Sequence, residues 1–315
     1  MSNTEVMKQS AVKLAGKHPK NKIHRTAGDI AFDVFLYILF VAFTILCVFP
    51  FYYLFINTIS SNDAVAGGLV NFWPVGIHFQ NYLALRDVAD LGSSVIVTVA
   101  RTILGTALMV IVSAWAGYLV TKQKMWHRSL MYRALVITMY FNAGLIPWYM
   151  VITQYLGMRD TMWALIVPSL LSSYNILLMR NFIKQCVPNE VVESARIDGA
   201  GDLRIFVQIV LRLATPALAT IGLFIALGKW NDWYSSMLFI KTESKHTLQY
   251  YLYRMVNMSN AIKSMQQAGV STDVKLPSET LKMAMAIVAT GPVVLVYPFV
   301  QRYFVKGLTV GAVKG

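Results

Sequence analysis

Six long apolar runs separated by polar stretches dominate the chain. They cover residues 30–59, 93–120, 134–155, 161–179, 214–239 and 279–304. An α-helix needs roughly 20 apolar residues to cross a hydrocarbon core. The pattern therefore predicts an all-α, polytopic membrane protein with six transmembrane helices. Asn142, Gly144 and Pro147 interrupt the third run and predict a kink there, because each frees or fails to supply backbone hydrogen bonds.

The polar stretches alternate in charge, which predicts sidedness. The start is basic, with Lys8, Lys13, Lys17, Lys20, Lys22 and Arg25. The run that follows is too long for a signal-peptide core, and no clear small-residue cleavage site follows it, so it reads as an uncleaved first span. Residues 60–92 carry Arg86 against Asp63, Asp87 and Asp90, which suits the outer face. Lys122, Lys124, Arg128 and Arg133 return the chain to the cytosol, as do Arg180 and Lys184 after the fourth run. Residues 156–160 form a short outer turn. The outer stretch 240–278 is less biased, with Lys241, Lys245, Arg254, Lys263 and Lys275. Both termini then fall on the cytosolic side of the membrane. The domains are a basic N-terminal segment 1–29, a membrane domain 30–304 and a cytosolic tail 305–315.

The stretch between the fourth and fifth runs, 188–213, is polar and rich in small residues. Pro188 suits a helix start, and Glu190 and Glu193 favour a helix N-terminus. Gly199 offers the left-handed geometry that ends a helix. Asp202 can cap a second helix beginning at Leu203. The prediction is helix, tight turn, helix. Ala195, Gly199, Ala200 and Gly201 would let another surface come close to the backbone. The same spacing also suits an ordinary amphipathic loop helix.

Composition agrees. Of 315 residues, 56% are hydrophobic and 14% charged, with mean hydropathy +0.53; soluble domains carry about 25% charged residues. The net charge of +13 follows the loops rather than forming a nucleic-acid-binding patch. Cys47 and Cys186 read as unpaired thiols.

Glu193-Ser194-Ala195, Asp198-Gly199-Ala200, Phe206 and Pro216 together resemble the EAA loop of ABC-importer permease subunits. Arg180-Asn181-Phe182, Trp230-Asn231-Asp232-Trp233 and the ending Tyr303-Phe304-Val305-Lys306-Gly307 with Gly311-Ala312-Val313-Lys314-Gly315 resemble the maltose-type carbohydrate branch. Ser194 replaces the second alanine of the pattern, and Arg212 stands where it usually has a proline. The resemblance implies a non-catalytic transport subunit that pairs with a second permease subunit in the bilayer. Two cytosolic ATPase copies would bind ATP and Mg beneath the pair, and an external solute-binding protein would deliver an oligosaccharide. It also implies that 188–213 contains a cytosolic coupling helix, with Glu193, Ser194, Ala195, Asp198, Gly199 and Ala200 meeting the ATPase. A permease for another solute such as peptides, and an ion-coupled carrier, are the alternatives. The first lacks the terminal Lys-Gly pattern, and the second would need an intramembrane acidic cluster.

No catalytic motif stands beside these. Gly199-Ala200-Gly201-Asp202-Leu203-Arg204 departs from G-x-G-x-x-G at its end, Gly228-Lys229-Trp230 lacks P-loop spacing, and H-E-x-x-H is absent from the sequence. The chain holds no cofactor or metal motif. Sugars bind by stacking and hydroxyl hydrogen bonds, so Tyr140, Asn142, Tyr174, Asn175, Trp230, Asn231 and Trp233 are the pathway candidates. Asn and Tyr also join helices, and Trp also favours interfaces. Arg101 is read as reaching to the surface along its own stem. With Lys241, Lys245 and Arg254 it would make the outer mouth positive, which suits acidic oligosaccharides.

Overall fold

The computed structural model describes residues 26–122, 125, 127–268 and 278–312. Most of the basic segment 1–29, together with Lys124, Lys275 and residues 313–315, lies outside the described residues, as do the side chains of the tail from 305. The chain divides into two units at Tyr52/Tyr53, within its first long helix.

That helix, α1, runs Ala27–Thr58. Its first-unit part is apolar on every side, with Phe35, Tyr37 and Leu46 all well exposed. A helix hydrophobic all round has no aqueous face and belongs in lipid. Pro50 lies inside it.

In the second unit, α2 (Leu91–Thr121) is the second unbroken span. The third is split into α3 (Arg128–Tyr140) and α4 (Leu145–Tyr155), bent by 116°. The predicted kink is thus a reversal. Gly144 sits at φ +91, and its N–H donates to Asn142 Oδ1 at 2.9 Å, so these two residues build the turn, while Pro147 falls in the first turn of α4. The fourth span is α5 (Met162–Ser169) and α6 (Ser173–Cys186), bent by 53°. Next come α7 (Asn189–Ile197) and α8 (Asp202–Leu213). The span α9 (Thr215–Asn231) leaves α8 at 81°. Arg212 does not make that joint. Pro216 does, at the first turn of α9, while Thr215 Oγ1 caps the carbonyls of Leu211 and Arg212 at 2.9 Å each.

Short α10 (Tyr234–Phe239) and α11 (Leu248–Gln267) occupy the stretch after α9. The last helix, α12, runs Glu279–Ala312. The described residues contain helices and no strand. The described residues thus hold three continuous candidate spans, and up to six if each bent pair counts as one.

α2 is the centre of the second unit and packs against α6 and α9. One core joins Met109, Ala114 and Tyr118 of α2 to Met179 and Ile183 of α6, Ile205, Phe206 and Val210 of α8, and Ile221 and Ile225 of α9. Gly117 permits the α2–α6 contact: a Cβ there would lie 3.0 Å from Arg180 N and 3.1 Å from Ile176 O. A second core surrounds Trp230, Leu248 and Met285. Asn81 joins the end of α1 to the start of α12. Its Nδ2 donates to Thr58 O at 2.9 Å, and its Oδ1 accepts from Thr280 Oγ1 at 3.1 Å.

Candidate functional site

The helix-turn-helix predicted over 188–213 is present. α7 closes with two hydrogen bonds, Ala200 N to Ala195 O at 2.9 Å and Gly199 N to Arg196 O at 3.0 Å. Gly199 has φ +78. This is a Schellman closure, which satisfies carbonyls the helix end would otherwise orphan. Glu193, Ser194, Asp198 and Gly199 are exposed, while Ala195 and Ala200 turn partly into the core. Ser194 Oγ donates to Val191 O at 3.1 Å, so it is satisfied within its own helix. At the tip, Ile197 is 87% exposed. No motif in the sequence marks this residue.

The return arm is anchored where the tip is free. Ile205, Phe206 and Val210 are buried. The Phe206 ring meets Trp115 edge-on at 4.8 Å and stacks on Tyr118 at 5.7 Å. Asp202 does not cap its helix; Gly201 occupies that position. The Asp202 carboxylate instead pairs with Lys122, at the end of α2, at 2.6 Å, and with Arg196 at 3.6 Å. The hydrogen bond from Lys122 is the main cause that holds the Asp202 carboxyl below its usual range. Two neighbouring helices and α2 thus meet at one carboxylate.

A cavity of about 340 Å3 opens further along α2, between α2, α5, α6 and α9. Its polar wall is Arg101, Lys229, Asp232, Ser169, Ser235 and Asn175. Arg101 does not reach to the surface. It is 1% exposed, pairs with Asp232, and donates from Nη1 to Asp232 O at 2.9 Å and from Nε to Leu165 O at 3.3 Å. The long stem is held inside because a carboxylate and two carbonyls satisfy the guanidinium there, which a lone charge in a membrane would lack. Lys229 Nζ donates to Leu165 O at 3.3 Å and to Ser169 Oγ. Nothing in the spacing of Gly228-Lys229-Trp230 marked it, since its neighbours come from elements sixty residues away.

The seven pathway candidates scatter. Asn175 lines this cavity. Asn142 lines a second, open hollow of about 610 Å3 at the α3–α4 break. Trp230 is buried and donates from Nε1 to Ala289 O at 2.9 Å, which makes it a helix-packing residue. Asn231 donates to Leu227 O at 3.0 Å. Trp233 stacks on Tyr253 with centroids 4.0 Å apart. Tyr140 and Tyr174 are exposed.

The basic residues proposed for the outer mouth are mostly neutralised. Lys245 pairs with Asp160 at 3.2 Å and Arg254 with Glu243 at 2.6 Å. Among the described residues, no group of three or more His, Cys, Asp or Glu is placed to hold a metal ion.

Residues 109–310 match the family described as "Binding-protein-dependent transport system inner membrane component". The chain is 34% identical to the polygalacturonan/rhamnogalacturonan transport system permease protein YtcP of Bacillus subtilis (strain 168), over 90% of this chain and 98% of that protein. It is 28% identical to the melibiose/raffinose/stachyose import permease protein MelC of the same organism, over 84% of this chain and 91% of that one. Among solved structures it resembles a chain of a bacterial ABC transporter involved in the import of the acidic polysaccharide alginate. The TM-score is 0.78 at 30% identity, covering 89% of this chain and 98% of that one.

Proposed function

This chain belongs to the binding-protein-dependent transport system inner membrane component family, and from that premise we propose how its parts serve transport. It is a permease subunit of an ABC importer for oligosaccharides. Its place is the bacterial inner membrane, with α7 and both termini on the cytosolic side. It pairs with a second permease subunit, and a solute-binding protein delivers the sugar from outside. Two separate ATPase copies carry ATP and Mg, so this chain performs no chemistry itself.

One observation carries the coupling role: the α7–α8 loop is exposed at its tip, where Ile197 stands out into solvent, yet rooted in the core at its return arm. Such a shape transmits force. A partner cleft would take Ile197, Asp198 and Gly199, with Ala195 and Ala200 allowing close approach and Glu193 facing a basic group. Displacement of the tip would then pass through Phe206 to Tyr118, and through Asp202 to Lys122, both on α2. Because α2 also lines the cavity through Arg101, ATPase closure would reach the sugar path along one helix.

The test is disulfide trapping in the assembled transporter. Cysteine at Asp198 should cross-link to the ATPase, with the link responding to ATP. Labelling of that cysteine from outside intact cells, or the lack of any link, would refute the arrangement.

A further inference from the structure

The cavity wall has two cations and one anion. Asp232 is engaged elsewhere: its carboxylate accepts from Arg101, from Ser235 N at 3.0 Å and from Ser235 Oγ at 2.6 Å. Lys229 has no carboxylate of its own among the described residues. Its two hydrogen bonds go to neutral oxygens, Leu165 O and Ser169 Oγ. An ammonium has three donors, so one remains for the cavity that Lys229 lines. The residue is 7% exposed. Gly105 accommodates its stem, since a Cβ there would lie 3.3 Å from Lys229 Cε. Buried charges are ordinarily paired. Here no carboxylate touches Lys229 among the described residues, and space for a ligand is present instead.

We propose that Lys229 receives the carboxylate of an acidic sugar residue, a uronate unit, as the oligosaccharide passes through this cavity. The proposal rests on the transport reading above and deepens it. Ligand cavities run from about 300 Å3 upward, and this one, at about 340 Å3, has room for part of a chain. Trp148 supplies an apolar wall, and Asn175 and Ser235 supply polar groups for hydroxyls. Lys245, Arg254 and Lys263, three of the basic residues beyond α9, already hold carboxylates of this chain. Most of the charge at the mouth is thus spent within the chain, whereas Lys229 stands inside the membrane domain with a donor to spare.

The test compares a uronic-acid tetramer with its methyl ester, which removes charge while keeping length and hydroxyls. Equilibrium binding is measured on the assembled transporter in nanodiscs without binding protein, so that delivery does not enter. The acid should bind about tenfold more tightly than the ester, as a charge-assisted hydrogen bond implies. Lys229→Gln should erase that ratio, and Lys229→Arg should keep most of it. Equal affinities in the unmodified protein would overturn the proposal, and would be the result if an acidic side chain of the second permease subunit already holds Lys229. An undiminished ratio in Lys229→Gln would overturn it too. The comparison in the unmodified protein decides even where a variant fails to assemble. ATP-driven uptake of a neutral oligosaccharide with no acid preference would sink the Lys229 assignment while leaving the transport reading intact. Absence of any oligosaccharide uptake would sink the transport reading itself.

Discussion

Arg101 of α2 and Asp232, just past α9, form an ion pair in the interior of the bundle, with side chains 1% and 26% exposed. The pair ties the helix that meets the α7–α8 loop to the wall of the cavity. It also lies beside a second cation, Lys229, so its two halves are not equivalent.

Breaking it should therefore be asymmetric. Arg101→Met leaves Asp232 free to turn toward Lys229, whereas Asp232→Asn leaves two unbalanced cations. Loss of one partner of a buried pair costs about 3–5 kcal/mol. Thermal unfolding of purified protein should place Arg101→Met at or below the lower end and Asp232→Asn above it. The double variant should cost less than the sum, as coupled neighbours do. Equal single costs that simply add would show that the charges act independently.

Two glycines of α2 should respond differently to alanine. At Gly117 the new Cβ would meet backbone, Arg180 N and Ile176 O, while at Gly105 it would meet the flexible stem of Lys229. Gly117→Ala should cost about 1–3 kcal/mol by overpacking. Gly105→Ala should cost little in stability but displace the Lys229 ammonium, weakening acidic-sugar binding. Unfolding curves and ligand binding read the two effects separately.

At the loop tip, Ile197→Asp should prevent the ATPase from co-purifying while the permease still inserts and folds. Gly199→Ala forces a side chain into φ +78 and should cost about 1 kcal/mol, with partial loss of ATPase association. Lys122→Met removes an ion pair whose aspartate is 54% exposed though its lysine is 11% exposed, worth about 1 kcal/mol. Its unfolding temperature should scarcely move, while ATP-driven uptake falls. Wild-type uptake in Lys122→Met would rule out the Asp202–Lys122 contact as a transmission path.

Asp160 should make one loop acid-sensitive. Its Oδ1 accepts from Lys241 N and Thr242 N at 3.0 Å each, and its Oδ2 accepts from Thr242 Oγ1 at 2.6 Å. The Thr242 hydroxyl bond is the main cause that holds the carboxyl far below the usual aspartate range. A depressed carboxyl stabilises the fold above its unfolded value, about pH 4, and that contribution is lost as pH falls further toward the folded value. Hydrogen exchange at Lys241 and Thr242 amides should thus be flat from pH 7 to about pH 4, after correction for intrinsic rates, and lose protection below it. Asp160→Asn should lack the transition.

The apolar runs were enough to mark the candidate spans, because burial in lipid demands about twenty apolar residues wherever a helix crosses. The 188–213 helix-turn-helix was also legible, since Pro188, Gly199 and the intervening carboxylates act through local backbone geometry. What sequence could not decide was anything that depends on which distant side chains meet. Arg101 looked like a surface-seeking stem because its partner lies 131 residues away. Asp202 looked like a cap because Lys122 was not known to stand beside it. Trp230 looked like a sugar platform until Ala289 O claimed its N–H. Lys229 carried no signal, since a surplus charge is a property of a whole cavity wall. Only the packing of α2, α5, α6 and α9 could count the charges on that wall.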